Sequence, residues 1–186
     1  MTRQMILKQI PNLLSMLNLL LGVLAIIILI QMEHPQKVKF VCLCILVGAV
    51  ADFFDGFLAR RLGAISEMGK QLDSFADLIT FGIAPIGLMN YVYAHRNNGL
   101  LLAVSVIYVG SGVFRLARYN VGDYRDHFQG LPITAAGIIL TGFAFVYDRW
   151  SSLSQGGFFP GVIMLLVMSV LAILMVSKFR VNRVKI

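Results

Sequence analysis

Six long apolar stretches separated by short polar connections set the plan of this chain. They run over about 13–32, 38–57, 73–93, 100–119, 131–147 and 160–176, and each comes near the roughly 20 residues with which a helix crosses a bilayer. Ahead of them, residues 1–12 read as a short interfacial helix, with Met5, Ile6 and Ile10 to one side and Arg3 and Lys8 elsewhere. Pro11-Asn12 is expected to break the chain before the first span. That span is long and lacks a small-residue cleavage site, so it reads as a retained helix and not as a signal peptide. Little remains outside the six stretches. The expected fold class is therefore all-α: one integral membrane domain over 1–186, a bundle of six transmembrane helices with a short N-terminal interfacial helix.

Composition supports the membrane reading. Of 186 residues, 58% are hydrophobic and 13% charged, against about 25% charged in a soluble domain. The net charge of +7 is unevenly spread. With six spans, one side collects Arg3, Lys8, Arg60, Arg61, Lys70, Arg115, Arg118, Arg125, Lys178, Arg180, Arg183 and Lys185, and the other only Lys37, Lys39, Arg96 and Arg149. The excess of Lys and Arg marks the cytoplasmic side, so both termini are expected there, in a multi-pass protein of the cell membrane. Such a charge suits anionic membrane lipids, and no basic, aromatic-rich soluble surface exists to make nucleic acid a partner. Tyr91, Tyr93, Tyr147 and Trp150 fall near expected outer ends of spans and read as interface anchors. Cys42 and Cys44 lie about 200° apart around a helix and share no face. His34, His95 and His127 show no metal-ligand spacing.

Against this apolar background, four of the nine acidic residues gather in one place. Asp52, Asp55, Asp73 and Asp77 flank a short polar turn between two spans. Carboxylates near membrane depth are costly and persist only when something compensates. On a helix, Asp52, Asp55, Gly56, Ala59 and Arg60 fall within an arc of about 140°. Gly56 and Ala59 leave that face shallow enough for a ligand to lie against the backbone. Gly69, Asp73 and Asp77 advance by about 40° per step and make a second stripe. The connection from Arg61 to Met68 is short, so the two helices are antiparallel neighbours whose stripes can face each other. Unpaired, the cluster carries about −4 and repels itself. Two divalent cations would cancel that charge, and all-oxygen coordination favours Mg, Mn or Ca over Zn. Paired cations suit the clamping of a pyrophosphate during displacement at phosphorus. The plainer alternative is a charged patch at the mouth of the bundle, paired with Arg60, Arg61 and Lys70.

The run Asp52-x-x-Asp55-Gly56-x-x-Ala59-Arg60, eight residues, then Gly69-x-x-x-Asp73-x-x-x-Asp77 resembles the signature of CDP-alcohol phosphotransferases at every fixed position. The resemblance implies a CDP-linked lipid donor, an alcohol acceptor and CMP as leaving group. It also implies that Asp52, Asp55, Asp73 and Asp77 bind two divalent metals (Mg or Mn), with Asp77 as candidate general base. Gly56, Ala59, Gly69 and Arg60 would then form the CDP site, assisted by Ser66 and Lys70. A homodimer is implied as well.

The acceptor must be read elsewhere. The stretches from Ser66 to Pro85 and from Arg115 to Asn120, followed by Gly130-Leu131-Pro132, resemble the membrane-embedded phosphatidylserine synthases of that family. Those take CDP-diacylglycerol and L-serine. Arg115 and Arg118 are three apart, hence neighbours on one helix face. An arginine fork can hold the serine carboxylate in two hydrogen bonds and aim its hydroxyl at phosphorus. Asn120 is a candidate for the serine amino group. The same arginines would also suit glycerol phosphate or inositol phosphate, and either an acyl or an archaeol-type donor fits. Asn12 and Asn18, at the start of the first span, read as helix-to-helix hydrogen-bonding residues, with the head-group site as their other possible place. Gly82 and Pro85 should bend the third span. A divalent-cation transporter is the competing class, although its ionisable residues would sit near mid-bilayer.

Overall fold

The structure, a computed structural model, describes residues 9–93, 99–121, 127–151, 158–177 and 180–182. Six helices make up nearly all of it: α1 Ile10–Gln31, α2 Lys37–Arg61, α3 Glu67–Val92, α4 Gly99–Val121, α5 Ile133–Ser151 and α6 Phe158–Val176. The first four are long and apolar enough to cross a membrane by length and composition. Two short strands, β1 His127–Gln129 and β2 Arg180–Asn182, pair antiparallel. The helical class is as expected.

Several boundaries are not. Residues 1–8 of the expected interfacial helix lie outside the described residues, as do the basic residues Arg3, Lys8, Arg96, Arg125, Lys178, Arg183 and Lys185. Pro11 does not break the chain. It sits in the first turn of α1, where its missing N–H costs nothing because first-turn amides have no partner inside the helix. α3 begins six residues earlier than its apolar stretch, at Glu67, because Ser66 caps it: the Ser66 hydroxyl accepts from the Gly69 amide at 3.0 Å. Tyr93 is not an interface anchor. It is 7% exposed and stacks edge-on against Tyr147, with ring centroids 6.2 Å apart. Trp150 and Tyr91 do lie on the surface.

α1 packs along α2, the site-proximal half of α3 lies against α1, and its distal half lies against α5. α4 packs on α6. Outward faces are almost purely aliphatic or aromatic: Leu13, Leu20, Val50, Phe53, Leu102, Val106 and Ile173 are all more than half exposed. Polar side chains such as Ser15, Asn18, Asp55, Asp77, Thr80, Ser105, Arg115 and Thr141 are buried instead. Lipid removes the usual penalty for an apolar exterior, so association rests on close packing of small residues and on internal hydrogen bonds. Gly137 illustrates the packing: a Cβ there would fall within 2.7 Å of the Phe81 backbone.

The expected bend in α3 is a π-turn over Leu78–Ile83, immediately after Asp77. Pro85 has no N–H to offer the Phe81 carbonyl. The fully buried Tyr108 of α4 supplies the missing donor, its hydroxyl reaching that carbonyl at 3.3 Å. The bend is thereby locked to α4. At the same end of the bundle as the aspartates, Gly130 adopts φ +73° and turns the chain over the end of α6, where the Leu131 amide donates to the Leu174 carbonyl at 3.0 Å. A Cβ at Gly130 would come within 2.6 Å of the Met175 carbonyl, so no larger residue fits this crossing.

Candidate active site

The last turns of α2 and the first turns of α3 bring the four aspartates together. Asp52, Asp55 and Asp73 each offer an oxygen, and these oxygens lie within 4.8 Å of one another. Asp52 is within hydrogen-bonding reach of both Asp73 and Asp77. Asp55 and Asp77 are buried, at 4% and 8% exposure. Lys70 pairs with Glu67, at 2.7 Å, and no ion pair between described residues reaches an aspartate of the cluster. Arg60, Arg61 and Lys70 therefore do not pair with the cluster as the charged-patch alternative expects, although the Arg60 charge acts on Asp55 from a distance. An all-oxygen group of carboxylates without a direct ion pair is a donor set that fits hard divalent ions.

Two hydroxyls orient this group. Ser15 of α1 donates to Asp55 Oδ2 at 2.7 Å, and Thr134 of α5 donates to Asp52 Oδ2 at 3.3 Å. Asp77 is different: its Oδ1 is buried and has no hydrogen-bond partner. Asp52 and Asp55 thus have one oxygen each tied to a neighbouring helix, and Asp77 keeps one oxygen uncommitted.

A cleft opens from Asp55 and Asp73 toward the end of the bundle. Gly56, Ala59, Ser66, Gly69 and Lys70 line it, together with Pro11 and Asn12. Five sequence candidates are thereby gathered. Gly56 is informative because no packing demands it. A Cβ there would meet only the flexible Arg60 guanidinium, at 3.5 Å, while glycine inside a helix costs about 1 kcal/mol relative to alanine. The open backbone faces the cleft. Gly69 is filled from the protein side, with the Asn12 Oδ1 and the Ser66 hydroxyl within about 3 Å of a Cβ built there (2.9 and 3.0 Å). Arg60 does not line the cleft.

The arginine pair separates. Arg115 is 7% exposed, stacks on Tyr119 at 4.7 Å and faces Asp77 closely enough to interact with its charge. Its Nε has no partner. Arg118 instead reaches the end of α6, where its Nη1 donates to the Val176 carbonyl at 3.2 Å. Asn120 is engaged with Ser74, its Nδ2 donating to the hydroxyl at 3.0 Å. Of the three, only Arg115 is turned toward the carboxylates. Sequence reasoning missed Ser15 and Thr134. Ser15 was detectable as a polar residue one turn after Pro11-Asn12 in an apolar helix, whereas nothing local marks Thr134, which is 82 residues from its partner.

Comparison with known proteins follows the same residues. The family model for CDP-alcohol phosphatidyltransferases matches residues 8–178. The chain belongs to the CDP-alcohol phosphatidyltransferase family. Among its relatives is the CDP-diacylglycerol--serine O-phosphatidyltransferase of Bacillus subtilis (strain 168), 37% identical over 140 residues that cover 75% of this chain and 77% of that one. The protein of the same name from Methanocaldococcus jannaschii is 34% identical over 129 residues, 69% of this chain and 57% of its own length. An archaetidylserine synthase of Methanothermobacter thermautotrophicus is 32% identical over 178 residues, 94% of this chain and 70% of that protein. In this CDP-alcohol phosphatidyltransferase, the matched region contains the whole cleft, the kinked α3 and the buried Arg115.

Proposed function

We propose that this protein transfers a phosphatidyl group from CDP-diacylglycerol to the hydroxyl of L-serine, giving phosphatidylserine and CMP. The observation that carries the reading is the gathered aspartate cluster beside an open glycine-floored cleft, in a chain whose relatives are named for that reaction. Asp52, Asp55, Asp73 and Asp77 would hold two divalent cations, Mg or Mn. When bound, such ions neutralise a diphosphate and the charge that develops on the leaving CMP.

The protein's own groups account for the remaining steps. Gly56, Ala59 and Gly69 let the nucleotide lie against the α2 and α3 backbones, with Ser66 and Lys70 lining the cleft and the Arg60 guanidinium beside Gly56. Arg115 binds the serine carboxylate and points the hydroxyl inward. The serine oxygen forms a bond to the lipid-bearing phosphorus as the bond to CMP breaks, and CMP leaves with the electron pair. The serine proton passes to the uncommitted Oδ1 of Asp77. Ser15 and Thr134 hold Asp55 and Asp52 still during this exchange.

The wider architecture is part of the same proposal: one membrane domain with six spans, a homodimer, and both termini and the cleft on the cytoplasmic side. The single domain is supported by the gathering of the start of α1, the end of α2 and the start of α5 around the site, and the orientation by the uneven spread of Lys and Arg. A cation transporter is disfavoured because the carboxylates sit at one end of one helix pair. An archaetidyl donor is the second reading, favoured by the likeness to the archaetidylserine synthase.

An acceptor panel tests the reading. Purified protein with CDP-diacylglycerol should give labelled phosphatidylserine with serine, and at most trace product with glycerol phosphate or inositol phosphate. Another labelled product in place of phosphatidylserine overturns the serine assignment. In the same assay Arg115→Gln is expected to raise the KM for serine about 10–100-fold, because a charged hydrogen-bonding partner worth about 1.5–3 kcal/mol is lost. The KM for the lipid donor should stay within about threefold by the same reasoning. Equal effects on both substrates would remove Arg115 from the serine site.

A further inference from the structure

One buried polar side chain has no part in the steps above. Asn18 of α1 is completely buried, and neither its Oδ1 nor its Nδ2 has a hydrogen-bond partner. The expected helix-to-helix bond exists, but the side chain does not make it: the Thr80 hydroxyl donates to the Asn18 backbone carbonyl, at 2.9 Å. Space for the amide is kept open from across the interface. A Cβ at Gly48 of α2 would fall 2.8 Å from Asn18 Oδ1 and 2.8 Å from Thr80 Cγ2. The fold therefore carries a glycine within a helix and an unsatisfied amide in an apolar interior, two unfavourable features at one point. A leucine at 18 has the same branching and would remove the second.

Helix geometry shows what the amide lies beside. Asn18 follows Ser15 by one turn on the same face of α1, and Ser15 bonds Asp55. Gly48 precedes Asp52 by one turn on α2, and Thr80 lies three residues past Asp77, inside the π-turn of α3. Asn18 thus sits at the inner floor of the carboxylate cluster, between the turns that carry Asp52 and Asp77. The orphaned Oδ1 of Asp77 needs a donor, and the orphaned Nδ2 of Asn18 is one.

We propose that Asn18 is a positioning residue for Asp77: its amide hydrogen-bonds through one bound water to the free carboxylate oxygen, which keeps its second lone pair for the serine proton, and fixes how that carboxylate is turned in the site. This rests on the reading of Asp77 as a member of a divalent-metal phosphotransferase centre.

The test measures Mn binding to purified protein by the loss of the free-ion electron paramagnetic resonance signal, with kcat and thermal unfolding alongside. Asn18→Leu keeps the branched shape, with two somewhat larger methyl groups, and removes the donor. It should weaken Mn binding about tenfold and lower kcat about 10–100-fold, as expected for a group that orients a metal-site carboxylate, with the unfolding midpoint unchanged or raised. Asn18→Ala loses packing but leaves room for water, so its binding and kcat should fall between those of Asn18→Leu and wild type. A purely structural amide predicts the reverse order. Mn affinity and kcat within twofold of wild type in Asn18→Leu, or Asn18→Ala the worse of the two, overturns the proposal. If Asn18→Leu does not fold, Asn18→Ala decides alone, and wild-type values there overturn it. Failure of the wild type to bind Mn, or binding unchanged in Asp52→Asn, overturns the metal-centre reading itself.

Discussion

Asp77→Asn is expected to lower CMP release by about 10²–10⁴-fold, the range for loss of a general base, with the protein still folded. Asparagine has nearly the volume of aspartate, so the packing of the α3 turn beside the π-bend is kept. What disappears is the ability of the buried, partnerless Oδ1 to take a proton. The same change removes one of four like charges, so thermal unfolding in the absence of metal should shift upward or stay in place, because repulsion with Asp52 and Asp73 is relieved. This opposition between rate and stability is diagnostic. A residue kept for structure would lose stability when changed, and a residue kept for chemistry is often locally unfavourable to the fold. CMP release within threefold of wild type would end the role of Asp77 in proton transfer.

The aspartate cluster was legible in the sequence because its geometry is local. Asp52 and Asp55 lie within one turn, as do Asp73 and Asp77, and a short connection forces their helices together, so periodicity alone brings the carboxylates to one place. The partners that hold them were not legible. Thr134 reaches Asp52 only because α5 packs beside α2, and no pattern near residue 134 reports that. The serine-site candidates show the same limit. Arg115 and Arg118 share a helix face in sequence, but the end of α6 draws Arg118 away through the Val176 carbonyl, and Ser74 holds Asn120. Helix existence followed from apolar length, and helix ends followed from details that apolar length does not encode: Ser66 as a cap for α3, and Pro11 as a tolerated first-turn residue. Tyr93 looked like an interface anchor because tyrosines often are. The close approach of α6 places Gly161 against its ring and makes it core. The helix-end misses are local, the other misses lie in tertiary packing, and the success lies in spacing along one or two helices.

Removing divalent ions is expected to abolish turnover and to loosen the fold together. Without cations, three carboxylate oxygens lie within 4.8 Å of one another with no ion pair to a described lysine or arginine. A ligand that binds only the folded state stabilises it by RT ln(1 + [L]/Kd), about 2.7 kcal/mol at one hundred times Kd. For a chain of this size that corresponds to a rise in unfolding midpoint of roughly 5–10 °C. A chelator should therefore bring CMP release to background and lower the midpoint by that amount, and excess Mg or Mn should restore both. Asp55→Asn separates this effect from general chelator damage. Its carboxylate is buried and bonded to Ser15, so the substitution keeps a hydrogen-bonding group in place while weakening the cation site. Its midpoint should respond to chelator by less than half the wild-type shift. Full turnover in the presence of chelator would mean that the carboxylates serve some purpose other than holding cations, and an equal midpoint shift in Asp55→Asn would mean that the cations bind elsewhere.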